Sequence, residues 1–156
     1  MKVAIAFDHR GTKLRERVLA DLAALGHEAV DLGTDRSEPR IDYPDKAREL
    51  GEAIRAGEAE RGILVCGSGV GASVAANKLP GIRAAMCHDT YSAHQGVEHD
   101  DLNVLCLGSE IIGPELADEL VRTFLPDRFD GGARYVSRVQ KIQVLEETSW
   151  VGALSG

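Results

Sequence analysis

The runs VAIAF (3–7), GILVC (62–66) and VLCL (104–107) are apolar at every position, with no alternating polar residue to face water. Strands of this kind are buried on both faces, which points to a parallel sheet covered by helices rather than to an antiparallel sheet with one wet face. The segments between them read as helices. GTKLRERVLADLAALG places Leu14, Val18, Leu22 and Leu25 on one stripe before Gly26 stops it, and a second helix begins near Pro44 in PDKARELGEAIRAGEA. HEAVDLG and GIRAAMC supply two further strands, and VGASVAANKL, TYSAHQGVEHD and GPELADELVRTFL supply helices. A last helix, ARYVSRVQKIQVLEE, carries Val136, Val139, Ile142, Val144 and Leu145 as apolar positions. Five strands alternating with helices predict an α/β fold with a five-stranded parallel sheet, helices on both faces, and ligands outside the carboxyl ends of the strands.

A chain of 156 residues fits one domain spanning 1–156, with residues from about 146 onward, including TSWVGALSG, read as a C-terminal tail or partner-contacting arm. The net charge of −7 argues against a nucleic-acid or anionic-membrane surface, although a few local arginines suffice for a small phosphate. The amino terminus, MKVAIAFDH, is too short an apolar stretch for a signal peptide or membrane span. Cys66, Cys87 and Cys106 are odd in number and lack Cys-x-x-Cys spacing, which fits reduced thiols in the cytoplasm.

Polar residues gather where the fold places ligands: Asp8-His9 after the first strand, Cys66-Gly67-Ser68-Gly69-Val70-Gly71 after the third, His88-Asp89 after the fourth. Glycines 67, 69 and 71 either let backbone N–H groups and the following helix close on an anion, or simply make a tight turn beside an inert core cysteine. Cys66 precedes that helix, where a thiol loses its proton more readily. Dinucleotide binding is a rival, with Asp89 about twenty residues downstream of the loop, but the turn reads G-x-G-x-G and has no G-K-[ST] ending. His94 and Glu98 share a helix face, yet no H-E-x-x-H pattern marks a metal site, and His99 stays open as an acid or base. Arg134 and Arg138, four apart, present two guanidinium groups together, suited either to a phosphate or to solvent.

Taken in order, FDHRG, DYPD, GILVCGSGVGASVAANKLPGIRAAMCHDTYSA, EHDDLNVLCLG and GGARYVSRV resemble the type B ribose-5-phosphate isomerase and galactose-6-phosphate isomerase family, from Met1 to about Leu145. The resemblance implies a Rossmann-like αβα sandwich, a homodimer or tetramer with active sites shared between subunits, no metal and no organic cofactor. It implies that Cys66 moves a proton between carbons 1 and 2 of an open-chain sugar phosphate through a cis-enediolate. Ala72 stands where some members place a glutamate base. The N–H groups of Gly67, Gly69, Val70 and Gly71, with the Ser68 hydroxyl, would hold the enediolate oxygen. His99, from the partner subunit, would open the sugar ring with help from Asp8. Tyr43 and Asp100 would contact substrate, and His9, Arg134 and Arg138 would hold its phosphate.

Two departures bear on substrate. Asp100 stands where the ribose-phosphate members have asparagine, and Glu110 where an arginine is expected after LGS, putting an anion where a cation would suit phosphate. Arg10 or Arg83 is available to restore the charge. The reading is therefore an aldose–ketose isomerase, with ribose 5-phosphate and ribulose 5-phosphate as the first pair. The alternatives are a tetrose or hexose phosphate (erythrulose, allose or galactose phosphate) and a phosphosugar-binding module without catalysis.

Overall fold

The structure is a computed structural model that describes residues 1–35 and 39–154, with side chains to residue 148. In chain order the elements are β1 (Lys2–Phe7), a 3-10 turn (Gly11–Leu14), α1 (Arg15–Ala24), β2 (Glu28–Asp31), α2 (Tyr43–Arg55) and β3 (Arg61–Cys66). Then follow α3 (Val70–Ala76), β4 (Ala84–Met86), α4 (Thr90–Asp100), β5 (Val104–Gly108), α5 (Pro114–Phe124) and α6 (Ala133–Leu154). The strands form one parallel sheet in the order β2-β1-β3-β5-β4. This is the expected α/β architecture.

Alternation along the buried strands divides the core into two layers. Val3, Ile5 and Phe7 pack with Leu22 of α1, Val97 of α4 and Phe124 of α5. Ala4, Ala6, Leu64 and Cys66 face the opposite side, against Leu50 of α2 and Ala72 and Ala76 of α3. The second layer is built from small residues: a Cβ on Gly62 would stand 2.6 Å from Leu50 Cδ2, so α2 lies close on the sheet. The result is a three-layer αβα sandwich.

β2 and β3 flank β1 on opposite sides, so the chain reverses its direction of travel across the sheet there. Helices leaving such neighbouring strands diverge to opposite faces, and a crevice opens at the carboxyl ends of β1 and β3. Two elements differ from the sequence reading. β4 keeps only three residues, because Arg83 and the segment before it are tied to Asn103 and Asp101 instead of extending the edge. Within the segment read as a tail or partner-contacting arm, α6 runs on to Leu154, and Glu146 on it accepts from the Gly81 N–H at 2.9 Å. No helix among the described residues is long and apolar enough to cross a membrane.

Candidate active site

A cavity of about 270 Å³ occupies the crevice between β1 and β3. Asp8, the first residue past β1, is buried, and its Oδ1 accepts the N–H groups of Arg10 at 2.9 Å and Gly11 at 2.8 Å. This turns the chain sharply into the 3-10 helix. Gly11 permits that turn, since a Cβ there would lie 2.1 Å from the Val65 carbonyl oxygen. His9 Nδ1 sits 3.0 Å from the Ile41 carbonyl oxygen, so Nδ1 carries a hydrogen and donates it there, which leaves Nε2 for another partner.

Across the crevice, Cys66 closes β3 and borders the cavity with Gly67, Ser68 and Gly71. The N–H of Gly69 donates to Cys66 Sγ at 3.2 Å. Gly69 has φ +80°, the left-handed conformation that aims this amide back at the sulfur and that side chains disfavour. Val70 donates to Ser68 Oγ at 3.3 Å. Two of the amides expected to bind substrate oxygen are thus directed at the thiol and at the loop itself. The turn after β5 fixes the loop from behind, with Ser109 N–H on the Cys66 carbonyl and Glu110 N–H on that of Gly67, both at 2.9 Å. Tyr43, at the start of α2, lies against Gly71: a Cβ there would be 2.6 Å from the Tyr43 ring.

The other thiols belong to the core. Burial pushes Cys87 up to about 11 and raises Cys106 further, so neither ionises near neutrality. Cys66 alone of the three borders the cavity.

The remaining expected site residues form a separate group on α4 and α6. The His99 ring stacks on Tyr135 at 4.3 Å with an interplanar angle of 18°, and its Nε2 is 3.6 Å from Glu98. Arg134 donates to the Tyr135 hydroxyl and lies 4.5 Å from the centre of its ring. Arg138 is exposed one turn further along α6. Asp100 borders a different groove, of about 570 Å³, beside Arg83 and Ile142. One chain therefore brings Asp8, His9, Tyr43, Cys66, Ser68 and the glycine loop together, and leaves His99, Asp100, Arg134 and Arg138 outside that cavity.

A ribose/galactose isomerase family model matches residues 3–142. The chain belongs to the ribose/galactose isomerase family. Ribose-5-phosphate isomerase B of Escherichia coli is 44% identical over 146 residues, covering 94% of this chain and 97% of that one. D-erythrulose-4-phosphate isomerase of Pectobacterium atrosepticum is 39% identical over 146 residues, covering 94% and 95%. The solved structure of Clostridium thermocellum ribose-5-phosphate isomerase B superposes with a TM-score of 0.90 at 43% identity, covering 96% of this chain and 99% of that one. The protein is thus an isomerase with the family's fold.

Within this family frame several polar residues prove to be structural. His88 Nε2 accepts the Gly108 N–H at 3.0 Å, and burial lowers its proton affinity. Asp89 caps α4 through the Ser92 N–H at 2.6 Å. His94 stands between Asp127 at 2.7 Å and Glu98 at 3.2 Å; the hydrogen bond to Asp127 raises its proton affinity, and no group of metal-ligating side chains occurs among the described residues. Arg83 is bound to the Asp101 carboxylate at 2.8 Å, away from the cavity, so it restores no charge there. Glu110 does not oppose an anion unaided, because Lys13 Nζ holds it at 2.6 Å and keeps its carboxyl below the usual range. Arg40 and Ile41 also border the cavity and escaped the sequence reading, and Asp42, the first residue of DYPD, borders it beside them. The available signal for Arg40 and Ile41 was their place directly before DYPD (42–45), which opens α2 at the crevice.

Proposed function

We propose that the chain interconverts a phosphorylated aldose and its ketose by a 1,2-proton transfer, with ribose 5-phosphate and ribulose 5-phosphate as the first pair and Cys66 as the base. The observation that carries this reading is Cys66 on the lining of the cavity, with the Gly69 N–H donating to its sulfur. That hydrogen bond strengthens as the sulfur takes on negative charge. The thiolate takes the proton from carbon 2, and the electron pair moves through the new carbon–carbon double bond onto oxygen 1, giving an enediolate. The hydroxyl proton passes from oxygen 2 to oxygen 1, and the thiol returns its proton to carbon 1. Nothing is oxidised or reduced overall. Ser68, Gly67 and Gly71 border the cavity beside Cys66, and their polar groups are the ones left to meet the oxygens on which charge develops, an arrangement fixed before the substrate arrives.

His9 holds the sugar phosphate from the same chain, its Nδ1 fixed on Ile41. Ring opening and the rest of the phosphate site fall to His99, Arg134 and Arg138 of a second copy, supported by their position outside the cavity of their own chain. The active form is accordingly a homodimer with two shared sites. The three free thiols fit a cytoplasmic enzyme. The relatives named for ribose 5-phosphate and for D-erythrulose 4-phosphate make a four-carbon phosphate the nearest alternative.

The test is turnover of four-, five- and six-carbon aldose phosphates by the pure protein and by Cys66→Ala. Loss of at least a thousandfold in kcat with KM kept within a few-fold is the expected result for removing the base. A Cys66→Ala protein that still isomerises at the parent rate rejects this mechanism, and a parent inert on every phosphate rejects the reaction class.

A further inference from the structure

We infer that Arg10 is a binding residue for the substrate's tetrahedral dianion, and that Lys13 keeps it available by holding Glu110 away; this rests on the isomerase reading above. The backbone of residue 10 is clamped from both sides. Its N–H donates to Asp8 Oδ1 at 2.9 Å, and its carbonyl accepts from Ser109 Oγ at 2.8 Å. The side chain is thereby aimed across the glycine loop, where a Cβ on Gly67 would stand 3.0 Å from Arg10 Cδ and 3.4 Å from Nη1. Gly67 is the absence of side chain that lets the guanidinium lie there, at the edge of the cavity that holds Cys66.

Among the described residues that guanidinium makes no hydrogen bond or ion pair, while Arg15, Arg17, Arg61, Arg83, Arg122 and Arg134 are all engaged. An arginine fixed at its base and free at its tip, on the wall of a cavity, offers a planar fork to a phosphate. The nearby competitor is Glu110, whose Cγ would come within 3.8 Å of a Cβ on Gly67. Lys13, one turn along from Arg10 on the 3-10 helix, takes that carboxylate at 2.6 Å. Asp8 is no competitor through Oδ1, which already accepts two backbone amides. The three side chains form a relay of charge: lysine neutralises glutamate so that arginine stays open.

Inorganic phosphate is the probe, read by its protection of Cys66 against iodoacetamide with peptide mapping, which needs no turnover. Arg10→Gln is expected to raise the phosphate concentration for half-protection by about tenfold, the loss of one charge-assisted hydrogen bond. The same variant raises KM for a turned-over sugar phosphate by a similar factor and leaves kcat within about threefold. Lys13→Met frees Glu110 to pair with Arg10 and weakens protection, whereas Lys13→Met combined with Glu110→Gln restores it. Melting curves of each variant confirm an intact fold. Unchanged protection in Arg10→Gln overturns the assignment, even where the parent isomerises normally. Equal loss in the Lys13 single and Lys13/Glu110 double variants overturns the role given to Lys13. If no sugar phosphate is turned over but phosphate still protects Cys66 through Arg10, the anion site stands and the reaction assignment falls.

Discussion

Asp21 is a carboxyl group in the wrong medium. It is 2% exposed on α1; Oδ1 accepts from Arg17 Nε at 2.9 Å, but Oδ2 meets no donor among the described residues. Its neighbour is Asp118 of α5, which already accepts from Arg122 at 2.6 Å and Arg17 at 3.1 Å. Two facing carboxyl groups are reconciled by one proton. Burial, then Asp118, push Asp21 up to about 6, while the hydrogen bond from Asp21 holds Asp118 below the usual carboxylate range. A folded-state value above the unfolded one gives stability that is complete below about 3.8 and lost as pH rises through about 6. Asp118 works in the opposite sense, but only at more acid pH. Asp21→Asn, whose amide donates to Asp118 at every pH, should therefore lessen the fall in melting temperature between pH 4.5 and 6.5 and stabilise the protein at pH 8 by ~2 kcal/mol. Melting curves at those three pH values decide it: parallel profiles for parent and variant would show that the proton is not shared.

At the scale of the element, the loop from Cys66 to α3 is where sequence and geometry meet. Gly69→Ala must place a side chain at φ +80° with its Cβ 3.1 Å from the Leu107 carbonyl carbon and 3.2 Å from the Gly108 nitrogen. Both neighbours are backbone, so the loop has to give way. The expected cost is ~1–2 kcal/mol in stability from the left-handed conformation. The larger effect is on kcat, at least a hundredfold, because the amide that reaches Cys66 Sγ turns with it. A variant with parental kcat and only a lowered melting temperature would show that the Gly69 amide has no part in catalysis. The glycine spacing made this loop legible from the sequence, as the all-apolar runs did for β1, β3 and β5. What spacing could not show is which amides are free, since the Gly69 and Val70 donors are assigned by three-dimensional aim. The choice between Arg10 and Arg83 was illegible for the same reason. Both are cations near strand ends, and only the tertiary pairing of Arg83 with Asp101 separates them. β4 was overread because its apolar composition continues past the point where Asn103 takes the backbone.

For the whole molecule, the side chains proposed to act on the substrate are divided between two places. Cys66 borders the β1–β3 cavity, while His99 and Arg134 sit against Tyr135 on α4 and α6. The C-terminal segment, read from the sequence as a tail or a partner-contacting arm, continues α6 to Leu154, and Ile142, Val144 and Leu145 on that helix are exposed apolar residues. Helical periodicity past Leu145 is weak, which is why the extension was not read from TSWVGALSG. If a second copy completes each cavity, Cys66→Ala and His99→Asn destroy the same site from different chains. Each variant alone should then be nearly inactive, whereas a mixed dimer holds one doubly damaged site and one intact site. Random re-pairing of equal amounts makes half the dimers mixed, so about a quarter of the parental activity should return on unfolding and refolding the two variants together. Size-exclusion chromatography of the refolded mixture verifies that dimers have formed. A dimeric mixture as inactive as its parents would mean that both residues act within one chain, and the shared-site arrangement would have to be abandoned.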